Sequence, residues 1–281
     1  MPRFTSSDGL SLYYDDTGGA GPVVLCLSGL TRNSTDFDYA IPALAGARVI
    51  RMDYRGRGKS DWAEDFTTYT IPREAQDALE LLDHLDLPSA GILGTSRGGL
   101  IALTLAAMAR DRLTGVCFND VGPVIDPAGL AVVLDFLGRD PVWKTHDQAA
   151  AVFGSRMAGF ANVPASRWRE EVERHFLETP GGLRINYDPK LRDATLAAFD
   201  PKADPPDLWP LFDALAGLQV AGLRGVNSDI LSPETFAEMQ DRLPMIAAQV
   251  ADRGHVPFLD EPESVSVLSR WIDALRQQET S

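Results

Sequence analysis

The chain has 281 residues, of which 44% are hydrophobic and 23% are charged. These values are typical of a soluble globular protein and exclude a disordered or fibrous chain. The length is enough for one large domain or for one domain with an inserted subdomain. The formal net charge is −14, and the acidic residues are spread along the chain, so we expect neither nucleic acid nor an anionic membrane as a partner.

The cysteines and the N-terminal residues bear on the cellular compartment. Cys26 and Cys117 each lie in a short apolar run, which indicates buried core residues and not a disulfide framework or a metal cluster. Residues 1–14 lack a basic stretch followed by an apolar one. No segment approaches the roughly 18 apolar residues of a membrane span. We therefore expect a cytoplasmic protein.

Short β-rich runs alternate with helical patterns along most of the chain. Six runs predict buried parallel strands: Val23 to Leu27, Val49 to Met52, Gly91 to Leu93, Val116 to Phe118, Val220 to Leu223 and Ile246 to Val250. Apolar and polar faces predict helices over residues 70–87 and 265–275, and the run 100–109 predicts a buried helix. This alternation is typical of a three-layer α/β architecture with a mostly parallel sheet flanked by helices.

The strand signal disappears between Pro123 and Pro206, where helical segments are separated by glycine and proline. Because two strand runs follow, we predict a core of residues 1–122 and 207–281 with a helical cap inserted at 123–206. Large apolar side chains of this region either pack its own helices, the interpretation that we favour, or line an acyl pocket: Phe136, Trp143, Phe153, Met157, Phe160 and Trp168.

The segment Gly94-Thr95-Ser96-Arg97-Gly98 has the pattern G-x-S-x-G between a predicted strand and a predicted helix. Such a sharp turn holds the serine in a strained conformation, and glycines two positions away allow the close approach of the backbone. The helix N-terminus favours the negative charge that develops in acyl transfer. An ordinary glycine-rich strand-to-helix junction is the alternative. With this motif the chain resembles the α/β-hydrolase family, with an inserted helical cap.

A serine hydroxyl needs a base, and the chain contains four histidines. His84 falls on the polar face of its predicted helix, and His146 and His175 lie among charged residues of the predicted cap, so we expect all three on solvated surfaces. His255 instead follows the last strand run, where the carboxyl end of a parallel strand would present it to a site. We predict that His255 is the base for Ser96.

The resemblance implies a carboxylate that follows the serine, precedes the histidine and orients the imidazole. Asp229 is the first choice, since it lies in the loop after the penultimate strand run, ahead of a helix start at Ser232 and Pro233. Asp120 is the alternative acid, because it follows an earlier strand run at a place that some members of the family use. Its other interpretation is hydrogen bonding within a loop.

The resemblance also implies an oxyanion hole formed by two backbone N–H groups, those of Arg97 and Leu30. Leu30 follows Ser28-Gly29 in this chain, where the family commonly has His-Gly. The segment from Asp53 to Ser60 matches a turn of the family whose arginines tie loops near the site. A phosphate-binding loop would require glycine at position 53, so nucleotide binding is rejected.

The sequence contains no zinc, calcium or dinucleotide motif, and we expect neither a cofactor nor a metal. The predicted function is hydrolysis of an ester, thioester or lactone through an acyl-enzyme on Ser96, with a small-molecule acyl substrate that has an apolar portion. One alternative is hydrolysis of a carbon–carbon bond in a diketone, although Val256 stands where such relatives often have an aromatic residue. Another is a non-catalytic ligand receptor. The sequence is compatible with a homo-oligomer.

Overall fold

The computed structural model describes residues 1–198 and 206–279. The strands of these residues, in chain order, are β1 (Arg3–Thr5), β2 (Ser11–Asp16), β3 (Val23–Leu27), β4 (Arg48–Met52), β5 (Ala90–Thr95), β6 (Leu113–Asn119), β7 (Phe176–Thr179), β8 (Gly182–Ile185), β9 (Gln219–Gly225) and β10 (Met245–Val250). The helices are α1 (Ile71–His84), α2 (Arg97–Met108), α3 (Pro127–Phe136), α4 (His146–Arg156), α5 (Ala165–His175), α6 (Leu191–Ala198), α7 (Trp209–Asp213), α8 (Pro233–Arg242) and α9 (Pro262–Glu279).

Eight of these strands form one sheet in the order β1-β2-β4-β3-β5-β6-β9-β10. The pairs from β4 through β10 are parallel, whereas β1 and β2 run antiparallel at one edge. All six predicted strand runs lie within strands of this sheet, and the expected mostly parallel sheet is confirmed. β1 and β2 were not predicted, because the first is only three residues long and the second carries polar residues at both ends.

The core consists of one apolar layer on each face of the sheet. Successive residues of a strand point to opposite faces, so Leu25 packs in the layer that contains α1 and α2, and Val24 packs in the layer that contains α9. The predicted helices therefore cover the sheet as expected. Cys26 and Cys117 are buried in the α9 layer and are unpaired, which confirms their prediction as core residues.

The elements α3 to α6 and the hairpin of β7 and β8 lie between β6 and β9, and residues 123–198 are called the inserted segment below. The hairpin corrects the expectation of helices alone. Its strands are four residues long, and the turn at Pro180 and Gly181 places Thr179 opposite Gly182, whose φ is +122°. Runs this short, with charged residues at Glu178 and Arg184, carry too little alternation to predict a strand. The boundaries of the cap at 123 and 206 stay a prediction.

Aromatic side chains of the inserted segment pack on one another. Phe153 contacts Trp143 and Trp168 with ring centroids 6.5 and 6.1 Å apart, and Phe160 lies 5.7 Å from Trp168. These edge-on geometries are favourable for aromatic pairs, and they agree with packing of the segment's own helices as the main role of these residues. Phe136 is the exception, with 51% of its surface exposed.

Within the ranges that the structure describes, no helix combines the length and the apolar character needed to cross a membrane.

Candidate active site

Ser96 lies in the sharp turn between β5 and α2, with φ of 50° and ψ of −113°. A non-glycine residue at positive φ is strained, and such strain concentrates at functional sites. A Cβ added at Gly94 would lie 2.6 Å from the backbone nitrogen of Gly99, and one added at Gly98 would lie 1.9 Å from the carbonyl oxygen of Leu27. The predicted need for glycine two positions before and after the serine is confirmed.

His255 follows β10 and reaches the turn that carries Ser96. The Oγ of Ser96 lies 2.9 Å from Nε2 of His255, within the range of a nucleophile and its base. With the proton on Nδ1, the hydroxyl of Ser96 donates to Nε2. The structure therefore brings together the predicted nucleophile and the predicted base, which are 159 positions apart in the chain.

The carboxylate beside His255 belongs to Asp120 and not to Asp229, which corrects the first choice made from the sequence. Nδ1 of His255 lies 2.7 Å from Oδ2 of Asp120, and Asp120 is fully buried. Asp229 is exposed, and the hydrogen bonds of the described residues do not connect it with the imidazole. Asp120, the alternative acid of the sequence analysis, is thus the carboxylate that contacts the imidazole of His255.

The loop after β9 explains this arrangement, because it provides hydrogen-bond donors to the carboxylate of Asp120. The N–H of Gly225 donates to Oδ1 and the hydroxyl of Ser228 donates to Oδ2, both at 2.7 Å. A buried carboxylate requires such partners. The same hydroxyl accepts from the N–H groups of Ile230 and Leu231. Asp229, which lies between Ser228 and Ile230 in this turn, is exposed to solvent.

The register of the sheet sets the spacing between Ser96 and Asp120. Thr95 pairs with Asn119 across β5 and β6, so Ser96 and Asp120 each come one residue after a paired position. The N–H of Ser96 donates to the carbonyl of Asn119 at 3.1 Å. Asp120 also has a positive φ, 56°, and both side chains therefore leave the carboxyl end of the sheet from strained residues.

The loop after β3 passes beside the nucleophile, as the oxyanion-hole expectation requires. A Cβ added at Gly29 would lie 3.9 Å from Cβ of Ser96. The carbonyl of Ser28 accepts from the hydroxyl of Tyr54 at 3.0 Å, while the Ser28 hydroxyl is buried and has no hydrogen-bond partner among the described residues. This loop is thus held through its backbone and not through the side chain at position 28.

The turn from Asp53 to Ser60 also supports the loop after β3. Arg57 donates from Nε to the carbonyl of Leu30 at 3.0 Å. The carboxylate of Asp53 accepts from the N–H groups of Ser34 and Lys59 at 2.7 and 2.8 Å. The prediction that arginines of this turn tie loops near the site is therefore confirmed for Arg57.

The amide N–H groups of Leu30 and Arg97 are available for a ligand. Arg97 is the first residue of α2, where backbone N–H groups lack a partner within the helix. The backbone hydrogen bonds of the described residues include none donated by either amide. Two unpaired N–H groups close to a serine hydroxyl are suited to a negatively charged oxygen.

The other histidines lie away from Ser96, and two of them are not on solvated surfaces as predicted. His84 is exposed, whereas His146 and His175 are half-buried. Nδ1 of His175 lies 2.6 Å from the carbonyl of Glu171 and 3.2 Å from a guanidinium nitrogen of Arg32. Burial, reinforced by the charge of Arg32, lowers the pKa of His175 to about 3.

Sequence reasoning missed Ser228 and Glu74, both of which contact residues of the site. Glu74 is buried on α1 and pairs with Arg57 and Arg97. The sequence signal was a charged residue on a helix whose neighbours Ala75 and Ala78 are core residues. Within residues 1–198 and 206–279, no group of three or more His, Cys, Asp or Glu side chains is placed to hold a metal ion.

Known proteins resemble this chain in sequence and in structure. The sequence model of the alpha/beta hydrolase fold family matches residues 22–171. The 3-hydroxybutyrate-oligomer hydrolase of Cupriavidus necator is 33% identical over 271 residues, which are 92% of each chain. The 2-(acetamidomethylene)succinate hydrolase of Mesorhizobium japonicum is 26% identical over 260 residues, 91% of this chain and 90% of that one.

The solved structure of an alpha/beta hydrolase from Novosphingobium aromaticivorans is similar over nearly the whole chain. Its sequence is 36% identical, the TM-score is 0.89, and the match covers 97% of each chain. The resemblance therefore includes the sheet and the inserted segment together.

Proposed function

The chain belongs to the α/β-hydrolase fold family and is a hydrolase, and on this basis we propose that it cleaves a carboxylic ester-type bond without a cofactor, through an acyl-enzyme on Ser96. The observation that carries this proposal is the continuous chain of hydrogen bonds from Ser96 through His255 to Asp120. It has the order of roles that acyl transfer by a serine requires.

In the proposed reaction His255 accepts the hydroxyl proton through Nε2 while Oγ of Ser96 attacks the carbonyl carbon of the substrate. The N–H groups of Leu30 and Arg97 stabilise the negative oxygen of the tetrahedral intermediate. The imidazolium then returns the proton to the leaving alcohol, and the acyl group stays on Ser96. A water molecule, deprotonated by the same imidazole, releases the acid.

Asp120 is proposed to fix the tautomer of His255 and to stabilise the imidazolium. Its carboxylate is buried and accepts hydrogen bonds from Gly225, Ser228 and His255. These three donors satisfy the hydrogen-bonding capacity of the buried carboxylate oxygens. The acid is thereby able to balance the positive charge that the imidazole acquires in each half of the reaction.

The proposed substrate is a small acyl compound with an apolar portion. Leu30 packs against an apolar cluster that contains Tyr69 and, from the inserted segment, Leu137 and Tyr187. An ester is favoured over other acyl bonds by the relative that hydrolyses 3-hydroxybutyrate oligomers. A cytoplasmic location is also proposed, supported by two cysteines that are buried and unpaired.

The test is hydrolysis of a panel of aryl esters with increasing acyl length, with the wild-type protein and Ser96→Ala compared under the same conditions. We expect Ser96→Ala to lose essentially all turnover and all labelling by a fluorophosphonate, with an unchanged circular dichroism spectrum. Ser155→Ala, which removes an exposed hydroxyl on α4, is the matched control and should keep full activity. Unchanged turnover in Ser96→Ala would end the proposal. A ring-fission diketone in the same panel tests carbon–carbon cleavage.

A further inference from the structure

A buried chain of charged side chains connects the two residues that provide the proposed oxyanion amides. It starts at the carbonyl of Leu30, which accepts from Nε of Arg57 at 3.0 Å. Nη1 of Arg57 forms an ion pair with Oε1 of Glu74 at 2.8 Å, without the alignment of a hydrogen bond. Oε2 of Glu74 accepts from Nε of Arg97 at 2.6 Å. Each oxygen of the Glu74 carboxylate thus contacts one of the two arginines.

The surroundings make this chain rigid. Glu74 and Arg57 are fully buried, and the side chain of Arg97 is mostly buried. The second guanidinium nitrogen of Arg97 donates to the carbonyl of Tyr69 at 3.3 Å, and Nη1 of Arg57 donates to the carbonyl of Arg55 at 2.7 Å. Burial opposes ionisation of Glu74, but the charges of Arg57 and Arg97 outweigh it and lower its pKa.

Charge also holds these three side chains together. Two guanidiniums share the single carboxylate of Glu74, so this group of three side chains carries one positive charge in excess. Attraction between buried charges is screened less by solvent and salt than attraction at the surface, so the carboxylate keeps both guanidiniums close to it. Removing Glu74 would leave two like charges unpaired and free to separate.

We propose that Glu74 is a positioning residue for the oxyanion hole: through Arg57 and Arg97 it holds the amides of Leu30 and Arg97 at the spacing that the tetrahedral intermediate requires. This inference rests on the proposed serine hydrolase function. In this role Glu74 does not contact the substrate. The effect of Glu74 is specific to the transition state, because the amides of Leu30 and Arg97 form their strongest hydrogen bonds only when the substrate oxygen is negative.

The same helix provides a matched control for the charge of Glu74. Asp77 lies one turn further along α1, is equally buried, and pairs with Arg55 at 2.7 Å and with Arg73 at 2.6 Å. Neither Arg55 nor Arg73 contacts Leu30 or Arg97 in the described hydrogen bonds and ion pairs. Glu74→Gln and Asp77→Asn therefore remove the same charge from the same helix, but only Glu74 pairs directly with Arg57 and Arg97. Arg55, the partner of Asp77, meets Arg57 only through its backbone carbonyl.

The experiment compares three quantities in these variants of the full chain: kcat and KM for an aryl ester, and the inhibition constant of a trifluoromethyl ketone, which forms a tetrahedral adduct with serine. We expect Glu74→Gln to lower kcat by about 10- to 100-fold, less than the loss of an entire oxyanion donor, with KM changed less than about twofold. The inhibition constant should rise in proportion to the loss of kcat/KM. Asp77→Asn should change none of these three quantities by more than about twofold, even if it lowers the Tm as much as Glu74→Gln does.

Arg97→Met is the second variant to test if Glu74→Gln does not fold. The side chain of Arg97 is less buried than that of Glu74, and the substitution retains the backbone N–H of residue 97. It should show the same loss in kcat and in inhibitor affinity. If both variants fold less stably but keep the kcat and the inhibition constant of Asp77→Asn, the positioning role is overturned while ester hydrolysis stands. A wild-type protein that neither hydrolyses esters nor reacts with a fluorophosphonate would overturn the proposed function and this inference together.

Discussion

At the scale of single residues, local sequence predicted the pair that the structure brings together, Ser96 and His255, but it did not single out the carboxylate beside the imidazole. Ser96 has a motif with glycines at fixed positions, and His255 is the histidine that follows a strand run. For the acid, chain order alone allowed both Asp120 and Asp229. The difference depends on Ser228, whose hydroxyl donates to the carboxylate of Asp120, and no pattern in the sequence marks that contact.

Replacement of the two carboxylates distinguishes them. We expect Asp120→Asn to lower kcat/KM for an ester by about 10⁴-fold, the loss known for the corresponding change in a serine protease, because the amide no longer holds the productive tautomer of His255. Asp229→Asn should stay within about twofold of the wild type, since that carboxylate is exposed. Steady-state kinetics measure both. The reverse result, a silent Asp120→Asn with a large loss in Asp229→Asn, would return the acid role to the loop after β9.

At the scale of secondary structure, buried strands were the easiest elements to predict and exposed ones the hardest. Five of the six predicted strands, β3 to β6 and β9, lie inside the sheet with helices on both faces, and their apolar runs are visible in the sequence. The sixth, β10, lies at the edge and is mostly half-buried, but it has an apolar run as well. The strands β1, β2, β7 and β8 lie at an edge or outside the main sheet and show no comparable run. Sequence patterns record continuous apolar runs, so a strand that is very short or carries polar residues at its ends leaves a weak signal.

The turn between β5 and α2 has no space for a side chain at its second glycine. In Gly98→Ala the new Cβ would overlap the carbonyl oxygen of Leu27, 1.9 Å away, so we expect destabilisation of at least about 3 kcal/mol together with loss of activity. Gly181→Ala is the control, because its Cβ would meet only Thr179 Oγ1 at 3.7 Å. That variant should stay within about 0.5 kcal/mol of the wild type. Urea unfolding measures both changes, and equal stabilities would contradict the steric argument.

At the scale of the whole molecule, ion pairs join the inserted segment to the loops beside the sheet. Arg32, two residues after Leu30, binds Glu171 of α5 at 2.8 Å, and Arg174 of the same helix pairs with Asp38 at 3.3 Å. The sequence predicted an insertion, but it could not predict these contacts, because they join residues more than 130 positions apart. His175 lies within this junction.

The junction makes the stability of the protein depend on pH. The pKa of His175 is lowered from 6.5 to about 3 in the folded protein, so between these values the unfolded chain binds the additional proton. The contribution of this histidine is therefore fully present above pH 6.5 and is lost as the pH falls towards 3. We expect the free energy of unfolding to fall less steeply between pH 7 and about pH 4.5 in His175→Gln than in the wild type.

Urea unfolding at several pH values measures this slope. His84→Gln, which changes an exposed histidine, should follow the wild-type curve. Parallel curves for His175→Gln and the wild type would show that the junction does not keep this imidazole neutral.

The pairing of Thr95 with Asn119 has a consequence for how the protein can diverge. The residues that follow them, Ser96 and Asp120, inherit their separation from one backbone ladder and not from the length of the chain between those strands. The inserted segment, residues 123–198, begins after Asp120 and precedes β9, so its length does not enter the pairing of β5 with β6. Changes in the inserted segment can thus adapt the protein to new substrates, while the hydroxyl of Ser96 and the carboxylate of Asp120 keep their relative positions.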